Sequence, residues 1–157
     1  MFGFFKSRPP KTDPSADPLH FDRLIQLDAE ALAENGIECA YQDMREVLCK
    51  HVPTPAPLTE SREGESYSVE VNGINYPIDG PGLDDNSWGR ATFALFDSIN
   101  KQLTGAPVRF YALNGGNDLF GVFLTEAEYQ QVIKTLPQKR DWPYIVTNTP
   151  PDFGFPE

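Results

Sequence analysis

The chain has 157 residues, 39% of them apolar, 12% aromatic and 23% charged. That length suits one domain with a proper core and is short for two, and the aromatic share argues against intrinsic disorder. A formal net charge of −10 repels nucleic-acid phosphate and anionic lipid, so direct binding to nucleic acid or to a membrane surface is not expected, whereas a basic protein partner suits it.

In chain order, residues 1–17 read as a flexible tether, with Pro9, Pro10 and Pro14 among small polar residues. Residues 18–157 then read as a single α+β domain. Asp17-Pro18 predicts an N-cap followed by proline at the first helical position, and Leu19, Leu24, Ile25, Ala29, Leu32 and Ala33 roughly keep helical spacing up to Asn35-Gly36. A second amphipathic helix follows through Ile37, Tyr41, Met44, Leu48 and Val52, ending before Pro53. The spacing leaves open whether the two form an antiparallel pair or one kinked rod. Residues 53–64, with Pro53, Pro55 and Pro57, read as a linker or long loop.

Next comes the clearest strand signal. Tyr67, Val69 and Val71 alternate with polar residues, Asn72-Gly73 predicts a type I′ turn, and Ile74, Tyr76 and Ile78 continue the pattern. Pro77 places the second strand at an edge or near its end. After Asp79-Gly80-Pro81-Gly82, either Asn86 or Ser87 is positioned to cap a third helix, whose apolar residues from Trp88 to Leu103 cover most of its circumference. Such a helix is buried on more than one side and is expected at the centre of the core.

Val108–Leu113 and Leu119–Leu124 read as a further strand pair, joined by the glycine-rich turn Asn114–Asp118. Thr125 with Glu128 forms a capping box for a last helix through about Leu136, stopped by Pro137. The segment Trp142–Phe155 is rich in proline and aromatic residues and reads as a surface strap. The expected architecture is therefore two N-terminal helices, then β-hairpins forming a mainly antiparallel sheet packed on a central apolar helix.

The residue types that carry chemistry are thinly spread. Cys39 and Cys49 are too few for a disulfide framework, and on one helix ten residues rise about 15 Å, beyond disulfide reach. With His51 they lack metal-ligand spacing, so reduced, packed thiols are expected and no metal or other cofactor. The two histidines leave few ways to build a nucleophile–base pair. The glycines of Asn114–Asp118 lack the lysine and hydroxyl of a phosphate loop and join two strands instead of opening a helix. Asp79, Asp84 and Asp85 precede a helix, where capping accounts for acids better than paired-carboxylate catalysis does. No enzymatic activity is expected.

No segment approaches the ~18 apolar residues of a membrane span, and at the N-terminus the basic residues follow the apolar run, opposite to a signal peptide. A cytoplasmic location is expected.

The charge is uneven. Residues 53–106 hold eight acids (Glu60, Glu63, Glu65, Glu70, Asp79, Asp84, Asp85 and Asp97) and three bases, a net of −5 in about a third of the chain. If the hairpin and the loop after it share a surface, they form an acidic patch with Tyr67, Tyr76 and Trp88 near it. Aromatic rings among acids suit a protein interface; a merely solvated face is the plain alternative. The candidate partner-binding residues are Glu70, Tyr76, Asp79, Asp84, Asp85 and Trp88, with Asn117 and Asp118 from the glycine turn.

The stretch Phe93–Leu124, followed by Arg140-Asp141-Trp142-Pro143-Tyr144, together with Leu27–Tyr41, is similar to small bacterial immunity proteins of contact-dependent or secreted polymorphic toxin systems. That resemblance covers about half of the chain. It implies a protein that binds a cognate toxin domain in the cytosol and blocks its active site or its assembly, the acidic members facing basic nucleases. It carries over no functional residue. A non-catalytic structural or regulatory adaptor is the alternative.

Overall fold

The computed structural model describes residues 17–156. Apart from Asp17, the expected tether lies outside them. The described chain is α+β, with four α-helices and two antiparallel three-stranded sheets.

The helical pattern expected from Pro18 onward gives way to other structure. Asp17 and His20 fold back on the amides of Leu19 and Asp22, Phe21–Arg23 makes one 3-10 turn, and Ile25–Gln26 forms a short strand, β1. Only then does helix α1 run, from Ala29 to Glu34, capped by the Asp28 carboxylate on the amides of Glu30 and Ala31 at 2.9 and 3.2 Å. Pairing of β1 with a later strand overrides the helical spacing, because Leu19 and Leu24 find apolar neighbours on that sheet. Helix α2, Ile37–Leu48, buries Ile37, Tyr41, Met44 and Leu48 as its period dictates, whereas Cys39 and Cys49, expected as packed thiols, fall off that stripe and are both exposed.

The segment expected as a loop contains strand β2, Leu58–Glu63. It pairs along its whole length with β3, Ser66–Val71, which in turn pairs with β4, Ile74–Asp79. The turn between β3 and β4 is the expected one: Asn72 and Gly73 have φ of 54° and 79°, and Val71 faces Ile74. β4 is an edge strand, as Pro77 requires, and the register slips beside that proline, leaving Ile78 without a partner. The inward residues Tyr67, Val69, Tyr76 and Ile78 are buried, whereas Ser66, Glu70, Asn75 and Pro77 face out.

Helix α3, Ser87–Gln102, packs against α1 and β4, and also against β5, Val108–Leu113. Its N-cap is Asn86, whose side chain makes no capping bond. β5 pairs with β6, Phe120–Thr125, and β6 with β1. The strands therefore form two sheets, β2-β3-β4 and β1-β6-β5, instead of one.

The second sheet is buried on both faces. Val108, Phe110, Ala112 and Phe123 join the main core, while Tyr111, Leu113, Val122 and Leu124 form a separate cluster. Phe96, Phe110 and Phe123 stack in series, with centroids 4.4 and 4.6 Å apart, and His51 lies 5.1 Å beyond Phe123. Gly121 of β6 lies under this stack: a Cβ there would come within 2.4 Å of the Phe110 ring, so only glycine fits.

Polar side chains close the joints. Asn100 of α3 donates to the Phe110 carbonyl and accepts from its amide, at 2.9 and 2.7 Å, satisfying one stretch of the β5 edge. Tyr144 pairs by its backbone with Ala112 and covers the next stretch. Helix α4, Glu126–Thr135, opens on the expected capping box of Thr125 and Glu128. Arg23 ties the N-terminal segment to this corner through the Glu128 carboxylate and the Phe123 carbonyl. That hydrogen-bonded guanidinium holds the Glu128 carboxyl below its usual pKa. No helix among the described residues is long and apolar enough to cross a membrane.

Candidate functional site

A concave feature lies where three distant segments meet. It is a groove of about 490 Å³ between the first turn of α3, the turn linking β5 to β6, and the C-terminal strap.

Each wall has a local cause. On the α3 side, Trp88 is 38% exposed. The helix end that carries it is pinned by Arg90, whose guanidinium donates to the carbonyls of Ile78 and Asp84 at 2.8 Å each and pairs with the Asp84 carboxylate. That pairing holds the Asp84 carboxyl below its usual pKa. On the turn side, Asn114 and Gly116 adopt positive φ, 58° and 61°, and lead into a 3-10 turn through Asp118. The Asp118 carboxylate lies in the lining.

The strap, with the 3-10 turn Lys139–Asp141 that leads into it, forms the third wall through Arg140, Asp141, Tyr144, Asp152 and Phe155. It is held at two points. The Tyr144 hydroxyl donates to the Asn114 carbonyl at 2.6 Å, and burial pushes its pKa up to about 12, so it remains a donor throughout the neutral range. Phe153 is buried directly on Gly89 of α3, where a Cβ would come within 2.1 Å of its ring. Glycine within that helical turn is therefore the seat of the strap. Hydrogen bonds from the Phe153 amide to the Thr149 carbonyl and from the Thr147 amide to the Phe153 carbonyl, both 2.8 Å, fold the strap end into a closed loop.

The residues expected at the site separate into distinct groups. Trp88 and Asp118 come together in the groove. Asp84 and Asp85 lie on the exposed loop leading into α3, with Asp84 committed to Arg90. Asn117 is turned away toward α1, donating to the carboxylates of Asp28 and Glu30 at 3.0 and 3.1 Å. Glu70 lies on the outer face of β3, and Asp79, at the end of β4, accepts from the Gly80 amide.

Tyr76 is buried, with its hydroxyl donating to Asp97 at 2.7 Å. Burial first, and then that carboxylate, raise its pKa. It is a core residue and offers no exposed ring, because β4 turns its Tyr76 face onto α3. Tyr67 is likewise buried, its hydroxyl bonded to Glu60 and its ring under the Arg62 guanidinium. Of the three rings expected beside the acidic patch, only Trp88 is at the surface.

No family model matches the chain, and no curated protein or solved structure matches it. What the groove offers must therefore be read from its lining. Exposed aromatic rings and carboxylates share one concave surface, the combination that anchors protein partners. Among the described residues no group of three histidine, cysteine or acidic side chains is placed to hold a metal ion.

The sequence reading missed Arg140, Asp141 and the strap members Tyr144, Asp152 and Phe155 as site residues. A signal was present: aromatic residues concentrated in a proline-rich, irregular tail have no strand or helix to bury them, so they pack on whatever surface the tail crosses.

Proposed function

We propose that this chain is a binding protein that engages a basic protein partner through the Trp88 groove, and that the partner is a cognate toxin domain which it neutralises by direct contact. On this reading α3 is the central helix of the fold and presents Trp88 at its exposed end. The observation that carries the proposal is the convergence of two exposed rings, Trp88 and Phe155, with the carboxylates of Asp118, Asp141 and Asp152 in one groove. Interface hot spots favour tryptophan in concave, water-excluding settings, and acids around such an anchor accelerate encounter with a basic surface. The chain's net charge of −10 adds long-range attraction of the same sign. A basic nuclease is the toxin class that this charge suits best.

The test is co-expression with the product of the adjoining gene. The proposal expects a complex that survives purification, weakens as salt rises, and protects the host cell from that product. The absence of both complex and protection would overturn it.

A further inference from the structure

Resting on that reading, we infer that the groove is a socket for one arginine side chain of the partner, stacked on its aromatic rings and paired with its carboxylates. Four aromatic residues contribute to the lining, Trp88 from α3 and Tyr144, Phe153 and Phe155 from the strap; Phe153 is buried on Gly89, and the Tyr144 and Phe155 centroids are 5.5 Å apart. Asp118, Asp141 and Asp152 belong to the same lining with a single cation, Arg140, a net of two negative charges; the Asp152 carboxylate also accepts from the Gly154 amide at 3.0 Å.

Charge and shape together select the occupant. An anionic group would meet three carboxylates. A purely apolar anchor would cover the rings but strip water from those carboxylates without replacing it. A cation satisfies both features. Between the two cationic side chains, guanidinium is the better match: it is planar, stacks on ring faces, gives up its hydration more easily than ammonium, and forks onto a carboxylate with two donors. The walls need no rearrangement to receive it, because Tyr144 is anchored to Asn114 and Phe153 to Gly89.

The experiment is a titration of the isotope-labelled full chain, followed by NMR, with N-acetyl-arginine methylamide, its neutral isostere N-acetyl-citrulline methylamide, and N-acetyl-lysine methylamide. The arginine probe is expected to shift the Trp88 indole N–H and the amides of Gly115 and Gly116 saturably, and to bind roughly tenfold more tightly than citrulline. Trp88→Ala should abolish the response and Trp88→Phe should retain most of it, while Asp118→Asn and Asp152→Asn should each weaken it. Should Trp88→Ala fail to fold, the two Asn variants carry the test.

Equal binding of citrulline, or a response centred on Glu70 and Asp79, would overturn the socket. Equal binding of lysine would overturn the choice of guanidinium. Failure of the socket remains distinct from failure of the binding reading. A toxin complex whose affinity is unchanged by Trp88→Ala sinks the socket and the groove as the binding face but leaves neutralisation of a toxin standing, and an arginine-filled groove without any such complex sinks the toxin reading alone.

Discussion

The two three-stranded sheets are used in opposite ways. Sheet β2-β3-β4 buries one face on α2 and α3 and leaves the other to water, lined by Thr59, Ser61, Glu63, Ser68 and Glu70. Sheet β1-β6-β5 is covered on both faces, and its β5 edge is closed by Asn100 and Tyr144. Glu63 and Glu70 decorate its solvated face, Glu60 turns inward to cap α2, and the rings of Tyr67 and Tyr76 point inward. The groove with exposed rings lies instead at the end of the second sheet, where the strap crosses to α3. On the proposed reading, acidic density along the sequence marks a solvated face, and the binding face lies where aromatic residues lack room to be buried.

The sharpest way to break this contrast is to compare matched substitutions. Phe110→Ala removes the middle of the Phe96–Phe110–Phe123 stack and is expected to cost about 3–5 kcal/mol, read from urea unfolding. Ser68→Ala, on the open face of the first sheet, should stay within about 0.5 kcal/mol. Comparable losses would mean that the two sheets are not buried as described.

Gly89→Ala comes next. In an ordinary helix interior alanine would stabilise by about 1 kcal/mol. Here the Phe153 ring occupies the space of the new methyl, so a loss of about 1–3 kcal/mol is expected instead, together with faster proteolysis of the strap. A gain in melting temperature would contradict the seating of the strap on α3.

Glu60→Ala tests how the first sheet is joined to α2. The Glu60 carboxylate accepts from the amides of Ile37 and Glu38 at 2.9 and 3.2 Å, capping that helix from a neighbouring strand. Its loss should cost about 1–2 kcal/mol by thermal unfolding, as for other helix caps.

These residues also show what was legible in advance. The β3–β4 hairpin announces itself because alternation and Asn-Gly are both local. The α4 capping box is equally local. β2 is hidden because its inward positions after Leu58 are Glu60, which caps α2, and Arg62, which covers Tyr67; their charge imitates a loop. Leu24 and Ile25 fit a helical period, whereas the pairing of Ile25 with Gly121 and of Gln26 with Phe120, nearly a hundred residues away, decides the conformation of this segment. Trp88 and Asp118 were recognisable one at a time, but the groove they share exists only once the strap has folded across.

The smallest expected effect is pH-dependent. Arg23 lowers the Glu128 pKa below its ordinary 4.5, so the stability carried by this pair is fully present above that value and lost as pH falls through the depressed folded value. The difference in urea midpoint between the wild type and Glu128→Gln should therefore be present at neutral pH and close under acid. A difference that persists unchanged at pH well below 4 would show that the pair carries none of it.

The most direct measurement compares the two surfaces for binding. The purified adjoining-gene product is titrated calorimetrically into wild type, into the groove variant Trp88→Ala with Asp152→Asn, and into the open-face variant Glu70→Gln with Asp79→Asn. The account predicts at least roughly a tenfold loss of affinity for the groove variant, as expected of a hot spot, and near-wild-type affinity for the open-face one. The reverse order would place the binding face on the first sheet and contradict it.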